Sequence, residues 1–207
     1  MAGAGDLGGT GFFSPMNVVE RLRVMAHRAE QSWHCYISDS GDPCAELALF
    51  EAPLLWMVFA SKHTSDGYSA DQALRSATHM LSTTVRASQP PLSLRPAGVF
   101  SSLGTALGLV RDATLRDEAF DEAFVVDGTD EAAQTTLLPE LRAHTLELAR
   151  RVGDVRLVVA NGVARVWWQG SAVESHFAGS TVEHAGRLLA AIRHAPVPEA
   201  LRPPSRA

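Results

Sequence analysis

The stretch DVRLVVANGVARVWWQG, residues 154–170, reads as a β-hairpin turned at Asn161-Gly162. A type I′ turn needs positive φ at both central residues, and Asn-Gly between two apolar runs meets that demand. A two-residue loop also fixes the pairing. Ala160 faces Val163, Leu157 faces Val166, Arg156 faces Trp167 and Val155 faces Trp168. Because side chains alternate across a strand, one face of the hairpin carries Val155, Leu157, Val159, Ala164, Val166 and Trp168, all apolar. The other carries Arg156, Val158, Ala160, Val163, Arg165 and Trp167. A slip of one residue would mix the two sets, so the pattern supports the register. The apolar face is predicted to be core, in one cluster with Leu141, Leu148, Leu188 and Ile192. On the other face, Arg156 opposite Trp167 suits a cation–π contact worth about 0.5–1 kcal/mol. An isolated hairpin is marginally stable, so further strands or helices must cover its apolar side.

Outward from the hairpin, residues 130–151 read as helix in two pieces, with Pro139 opening the second at N1. Leu138, Leu141, Thr145 and Leu148 mark its inner face. After the hairpin, Ser180-Thr-Val-Glu183 is a capping box opening a final helix, with Val182, Ala185, Leu188, Leu189 and Ile192 inward. Near the N-terminus, Ser14-Pro15 predicts a helix over 15–31 with Val18, Leu22, Met25 and Ala29 on one face. Residues 33–38, 45–50 and 54–61 read as strands, separated by the turn cluster 39–43 and by Pro53. The last, LLWMVFAS, is almost continuously apolar and is expected to be the most buried strand of this half. Ser69-Ala-Asp-Gln72 caps a helix expected over 70–81, followed by an edge strand within 82–88. A short strand is expected at 92–95. The acidic run 112–131 holds eight of the chain's 23 Asp and Glu residues and reads as a solvated loop anchored by Phe120 and Phe124, with a strand at 124–126.

These elements predict an α+β fold: antiparallel sheet with helices packed on one face. Gln89-Pro-Pro91 is a rigid break, dividing an N-terminal α+β half, 14–89, from a C-terminal half, 90–195. At coarse resolution both halves read as similar α-β-β-α units, without a repeat at residue level. Residues 1–13 are Gly-rich and 196–207 Pro-rich, and both are expected to be disordered.

Composition narrows function mainly by exclusion. A net charge of −5 argues against non-specific nucleic-acid binding. No apolar stretch is long enough to span a bilayer, and the N-terminus has no secretory pattern, so the expected location is cytoplasmic. Lys62 is the single lysine among 18 basic residues, an arginine bias that reads as a bacterial source. The G-x-G-x-x-G at Gly3, Gly5 and Gly8 has no strand before it and is not read as a dinucleotide loop. Cys35 and Cys44, with His27 and His34 nearby, are too widely spaced for a zinc knuckle. They are expected to be reduced and metal-free, although strands flanking the 39–43 turn make a cross-strand disulfide conceivable. There is no nucleophile elbow, and the eight histidines are scattered. No catalytic, cofactor-binding or metal-ligating residue is therefore assigned. A small hydrolase or metal-dependent enzyme using the scattered His and Cys residues is the alternative reading.

Over residues 91–170 the pattern Phe120-Asp-Glu-Ala-Phe124-Val-Val126-Asp-Gly128, then Leu137-Leu138-Pro139-Glu140, then the strand pair, resembles a group of uncharacterised bacterial domains. In that group a threonine commonly precedes the proline; here Leu138 holds the place. The resemblance implies a recurrent accessory domain and no catalytic residue. The positive functional feature is the outer hairpin face, where Arg156, Arg165 and Trp167 make an amphipathic patch of the type enriched at interfaces. It is expected to be a contact surface for a protein partner or for self-association.

Overall fold

The computed structural model describes residues 14–59, 70–98, 113–170, 177 and 179–196. The expectations for 1–13, Ser69, the loops around 62–68 and 99–108, and the tail beyond 196 lie outside the described residues. Eight strands form one antiparallel sheet. They are β1 (His34–Ile37), β2 (Pro43–Leu49), β3 (Ala52–Phe59), β4 (Thr78–Thr84), β5 (Leu92–Pro96), β6 (Phe124–Asp127), β7 (Val155–Ala160) and β8 (Val163–Gln169). Their order is β1-β2-β3-β4-β8-β7-β5-β6. Among the described residues six helices accompany them: α1 (Pro15–Arg28), α2 (Ala70–Ser76), α3 (Glu118–Ala123), α4 (Asp130–Thr136), α5 (Pro139–Val152) and α6 (Thr181–His194).

The hairpin holds the centre. Asn161 and Gly162 both take positive φ, 51° and 73°, and every predicted pair from Val155↔Trp168 to Ala160↔Val163 is formed. Its outer partners come from either side of the Gln89–Pro91 break: β4 pairs with β8 and β5 with β7. Strands from both stretches thus share one sheet, although among the described residues their element orders differ, α-β-β-β-α-β before the break and β-α-β-α-α-β-β-α after it. One transverse row crosses all eight strands: Cys35, Ala45, Trp56, Leu81, Val166, Leu157, Leu94 and Val126. Every member is buried and belongs to one core cluster. Each helix adds side chains to that cluster, among them Leu22, Ala73, Phe120, Ala133, Leu148 and Leu188. The helices therefore lie on one face of the sheet, and the fold is α+β.

Local chemistry explains the helix limits. Ser14 Oγ accepts from the Met16 amide and Pro15 occupies N1. The helix ends at Arg28, earlier than predicted, in a Schellman closure: Glu30 takes φ 53°, its amide donates to His27 O, and Gln31 donates to Ala26 O. Its buried face is Val18, Val19, Leu22 and Ala26, so Met25 and Ala29 are only half-buried. In α6, Ser180 Oγ accepts from the Glu183 amide, and the Glu183 carboxylate accepts from the Gly179 amide. All five predicted inward residues of this helix are buried. For α4 and α5 the predicted division at Pro139 holds, but Leu137 is fully buried and Leu138 exposed.

Three expectations are corrected. The helix predicted over 70–81 stops at Ser76, and Thr78–Thr84 is a central strand, not a helix end followed by an edge. Pro53 lies inside β3 opposite Ala48, and the chain reverses at Phe50-Glu51, both at positive φ. β3 alternates: Ala52, Leu54, Trp56 and Val58 face the core while Leu55, Met57 and Phe59 are half-buried. The acidic run is more structured than a loop. Asp117 caps α3 and Thr129 caps α4, Asp121 accepts from the Leu115 and Asp117 amides, and Asp117 pairs with Arg142 at 3.0 Å.

Candidate contact surface

The residues opposite the core row define the other face of the sheet. One row there runs His34, Glu46, Leu55, Ser82, Arg165, Val158, Ser93 and Asp127. The next carries Tyr36, Cys44, Met57, Met80, Trp167 and Arg156. Leu55, Met57, Met80, Val158 and Trp167 are half-buried by their own neighbours and none joins the helix-covered core. Among the described residues no helix packs on this side. All three residues predicted for the contact surface are here: Arg156 is exposed, and Arg165 and Trp167 are half-buried.

The electrostatics differ from the sequence expectation at one point. Arg156 does not sit over Trp167; its Nε and a terminal nitrogen reach the two oxygens of Asp154 at 3.2 and 3.1 Å. A bidentate carboxylate two residues away outcompetes the ring face, because charge-assisted hydrogen bonds are the stronger contact. The pairing raises the Arg156 pKa further, so the guanidinium stays charged. Arg95, on β5, lies 3.7 Å from Asp127, which also accepts from Ser93 Oγ at 3.1 Å. Arg165 makes no ion pair among the described residues. An open cleft of about 590 Å³ lies where Arg95, Arg156, Trp167, Thr78 and Gln169 meet.

That cleft does not assemble the parts of an acid–base site. Among the described residues its lining holds no histidine or cysteine, and its carboxylate, Asp154, is engaged by Arg156. General acid–base and nucleophilic chemistry need a base within hydrogen-bond reach of a nucleophile. Ser93 instead donates to an acid already paired with an arginine. Among the described residues no three His, Cys, Asp or Glu side chains converge on one point. Cys35 pairs in register with Ala45, and Cys44 with Tyr36, so the two thiols are one position out of step and face opposite sides of the sheet. Both are buried and free, and burial pushes both thiol pKa values up. Low thiolate content is the opposite of what a metal ligand or nucleophile needs.

Sequence reasoning missed Met57, Met80 and Arg95. They reach the face through pairings β3·β4·β8 and β5·β7, which join residues as far apart as Thr78 and Gln169, and no local pattern encodes that. Among the described residues no helix is long and apolar enough to cross a membrane. No family model, curated protein or solved structure matches the chain.

Proposed function

We propose that this chain is a non-catalytic protein-interaction module, an accessory domain of bacterial origin acting in the cytoplasm through the helix-free face of its sheet. The observation that carries the reading is the transverse line Met57–Met80–Trp167 across three adjacent central strands. Apolar and aromatic side chains left uncovered at the middle of a sheet are what a fold normally buries. Trp and Arg together are the residue types that dominate interface energetics. Arg156, Arg165 and Arg95 border this line, giving a basic rim that favours a partner with an apolar centre and acidic margin. The arginine bias supports the bacterial source. The acidic balance of the whole chain, net charge −5, supports a protein partner over nucleic acid.

Site-specific photo-crosslinking tests the reading. Met80→p-benzoylphenylalanine in cells should give a covalent adduct to a protein. The same residue at Arg150, exposed on the helical side, should give none. Adducts from Arg150 alone would overturn the assignment of the face.

A further inference from the structure

We infer that the occupant of this face is a second copy of the chain, an inference that rests on the contact-surface reading above and names its partner. Three observations lead there. The first is size. Eight strands at about 4.8 Å spacing and about 3.3 Å per residue make a face of roughly 700 Å², close to the roughly 800 Å² per partner of a stable interface.

The second is that the face is complementary to itself. Take a two-fold axis parallel to the strands, between β4 and β8. It lays β4 on β8, β3 on β7, β2 on β5 and β1 on β6 of the other copy, an aligned sheet-on-sheet packing. The outer row then reads against its own reverse. Leu55 meets Val158, Ser82 meets Arg165, and His34 meets Asp127. Glu46 meets Ser93, with Arg95 the next residue on the same side. In the second row Met80 meets Trp167, a thioether against an aromatic ring. Met80–Trp167 and Leu55–Val158 thus lie near the axis beside the polar pair Ser82–Arg165, while Glu46 and Asp127 fall toward the edges, near Arg95 and His34 of the other copy.

The third is how the charge is split. On this face β1–β4 carry Glu46 as their one acid and no arginine, while β5–β8 carry Arg95, Arg156 and Arg165 against one acid, Asp127. The two-fold places the Glu46 half of each copy over the arginine-rich half of the other. An axis running across the strands would instead lay every strand on its own twin and set Arg165 against Arg165, at a cost in like-charge repulsion. An isologous pair is also the commonest closed assembly.

The experiment is sedimentation velocity of the purified full chain over a concentration series, with a charge exchange. Wild type should show a concentration-dependent dimer. Glu46→Arg alone and Arg95→Glu alone should each weaken it at least tenfold, because each creates like-charge contacts at both symmetry-related positions. Mixed in equal amounts, the two variants should recover the dimer with one copy of each, read by native mass spectrometry. Neither change touches the core, and circular dichroism checks that both variants fold. Wild type remaining monomeric throughout, a dimer insensitive to both variants, or a mixture that fails to recover would each overturn the second-copy inference. A monomer that still forms a Met80 adduct with a different protein would remove the self-association and leave the contact surface standing. A monomer with no Met80 adduct would remove both.

Discussion

The indole nitrogen of Trp56 donates to Nδ1 of His79 across 3.3 Å, joining the core-facing sides of β3 and β4. The same imidazole donates from Nε2 to the Leu74 carbonyl at 2.8 Å and stacks on Trp168 with centroids 5.3 Å apart. Those two bonds fix the neutral tautomer with its proton on Nε2. Burial drives the His79 pKa down, from 6.5 to about 4, while the hydrogen bonds to the backbone partly oppose the shift.

Acid should therefore unfold this protein in a defined window. The folded state resists protonating His79 and the unfolded state does not. The contribution is complete above pH 6.5 and falls away as pH drops toward 4, a loss of about 3 kcal/mol. Urea denaturation from pH 7.5 to 4 should show it. His79→Phe should flatten that slope, although orphaning the Trp56 N–H and Leu74 carbonyl costs about 1–3 kcal/mol at neutral pH. An unchanged slope in the variant would assign the acid sensitivity elsewhere.

Backbone strain predicts where the protein can be stabilised. Glu30 and Glu51 both sit in the left-handed region, at φ 53° and 62°. Glu30 closes α1 where glycine is the usual residue, and Glu51 completes a two-residue hairpin turn where Asn-Gly is preferred. Glu30→Gly and Glu51→Gly should each raise stability by about 0.5–1 kcal/mol, the left-handed penalty less the entropy glycine loses on folding. Phe50 should be kept, since the Arg187 guanidinium lies 4.7 Å over its ring. Shifts of the denaturation midpoint without change in slope would be the readout.

A missing cap makes a second such site. Leu138 stands at the N-cap of α5 with no side-chain hydrogen bond to the helix, and it is 39% exposed. Its extended backbone, φ −56° and ψ 156°, suits a capping residue. Leu138→Thr should gain about 1 kcal/mol by satisfying a first-turn amide. Thermal unfolding of the variant checks it, and a lower midpoint would mean that Leu138 contributes packing its exposure does not reveal.

The same features show what the sequence made legible. Asn161-Gly162, the two capping serines and Pro139 are local signals whose physics acts within a few residues, and each lands where predicted. β4 was hidden for a physical reason. Its inward side carries His79, Leu81 and Thr83 and its outward side Thr78, Met80 and Ser82, so polarity does not alternate. The inward polar groups are satisfied by distant partners, His79 by Trp56 and Thr83 by the Pro53 carbonyl at 2.7 Å. Meanwhile Ala73, Ala77, Met80 and Leu81 imitate a helical period. Arg156, Arg165 and Trp167 were readable because they share a hairpin with fixed register. Met57 and Arg95 complete the surface through long-range pairing, which the sequence does not display.

Trp167 and Trp168 provide the sharpest check on the two faces. They are consecutive on β8 and so point to opposite sides of the sheet. Trp168 is 1% exposed, stacked on His79 and joined to the helix-covered core. Trp168→Ala should cost about 3–5 kcal/mol through lost burial and the cavity left behind. Trp167 is half-buried on the side no described helix covers. In the monomer its neighbours can relax around the gap, so Trp167→Ala should cost no more than about 1 kcal/mol and move Tm by a few degrees. The effect of Trp167→Ala should appear in association instead, as a dimer that dissociates at higher protein concentration than wild type. Measured at a concentration where wild type is monomeric, the two variants should differ in stability severalfold. If Trp167→Ala is as damaging as Trp168→Ala under that condition, the face is covered within the monomer and is not a surface for contact.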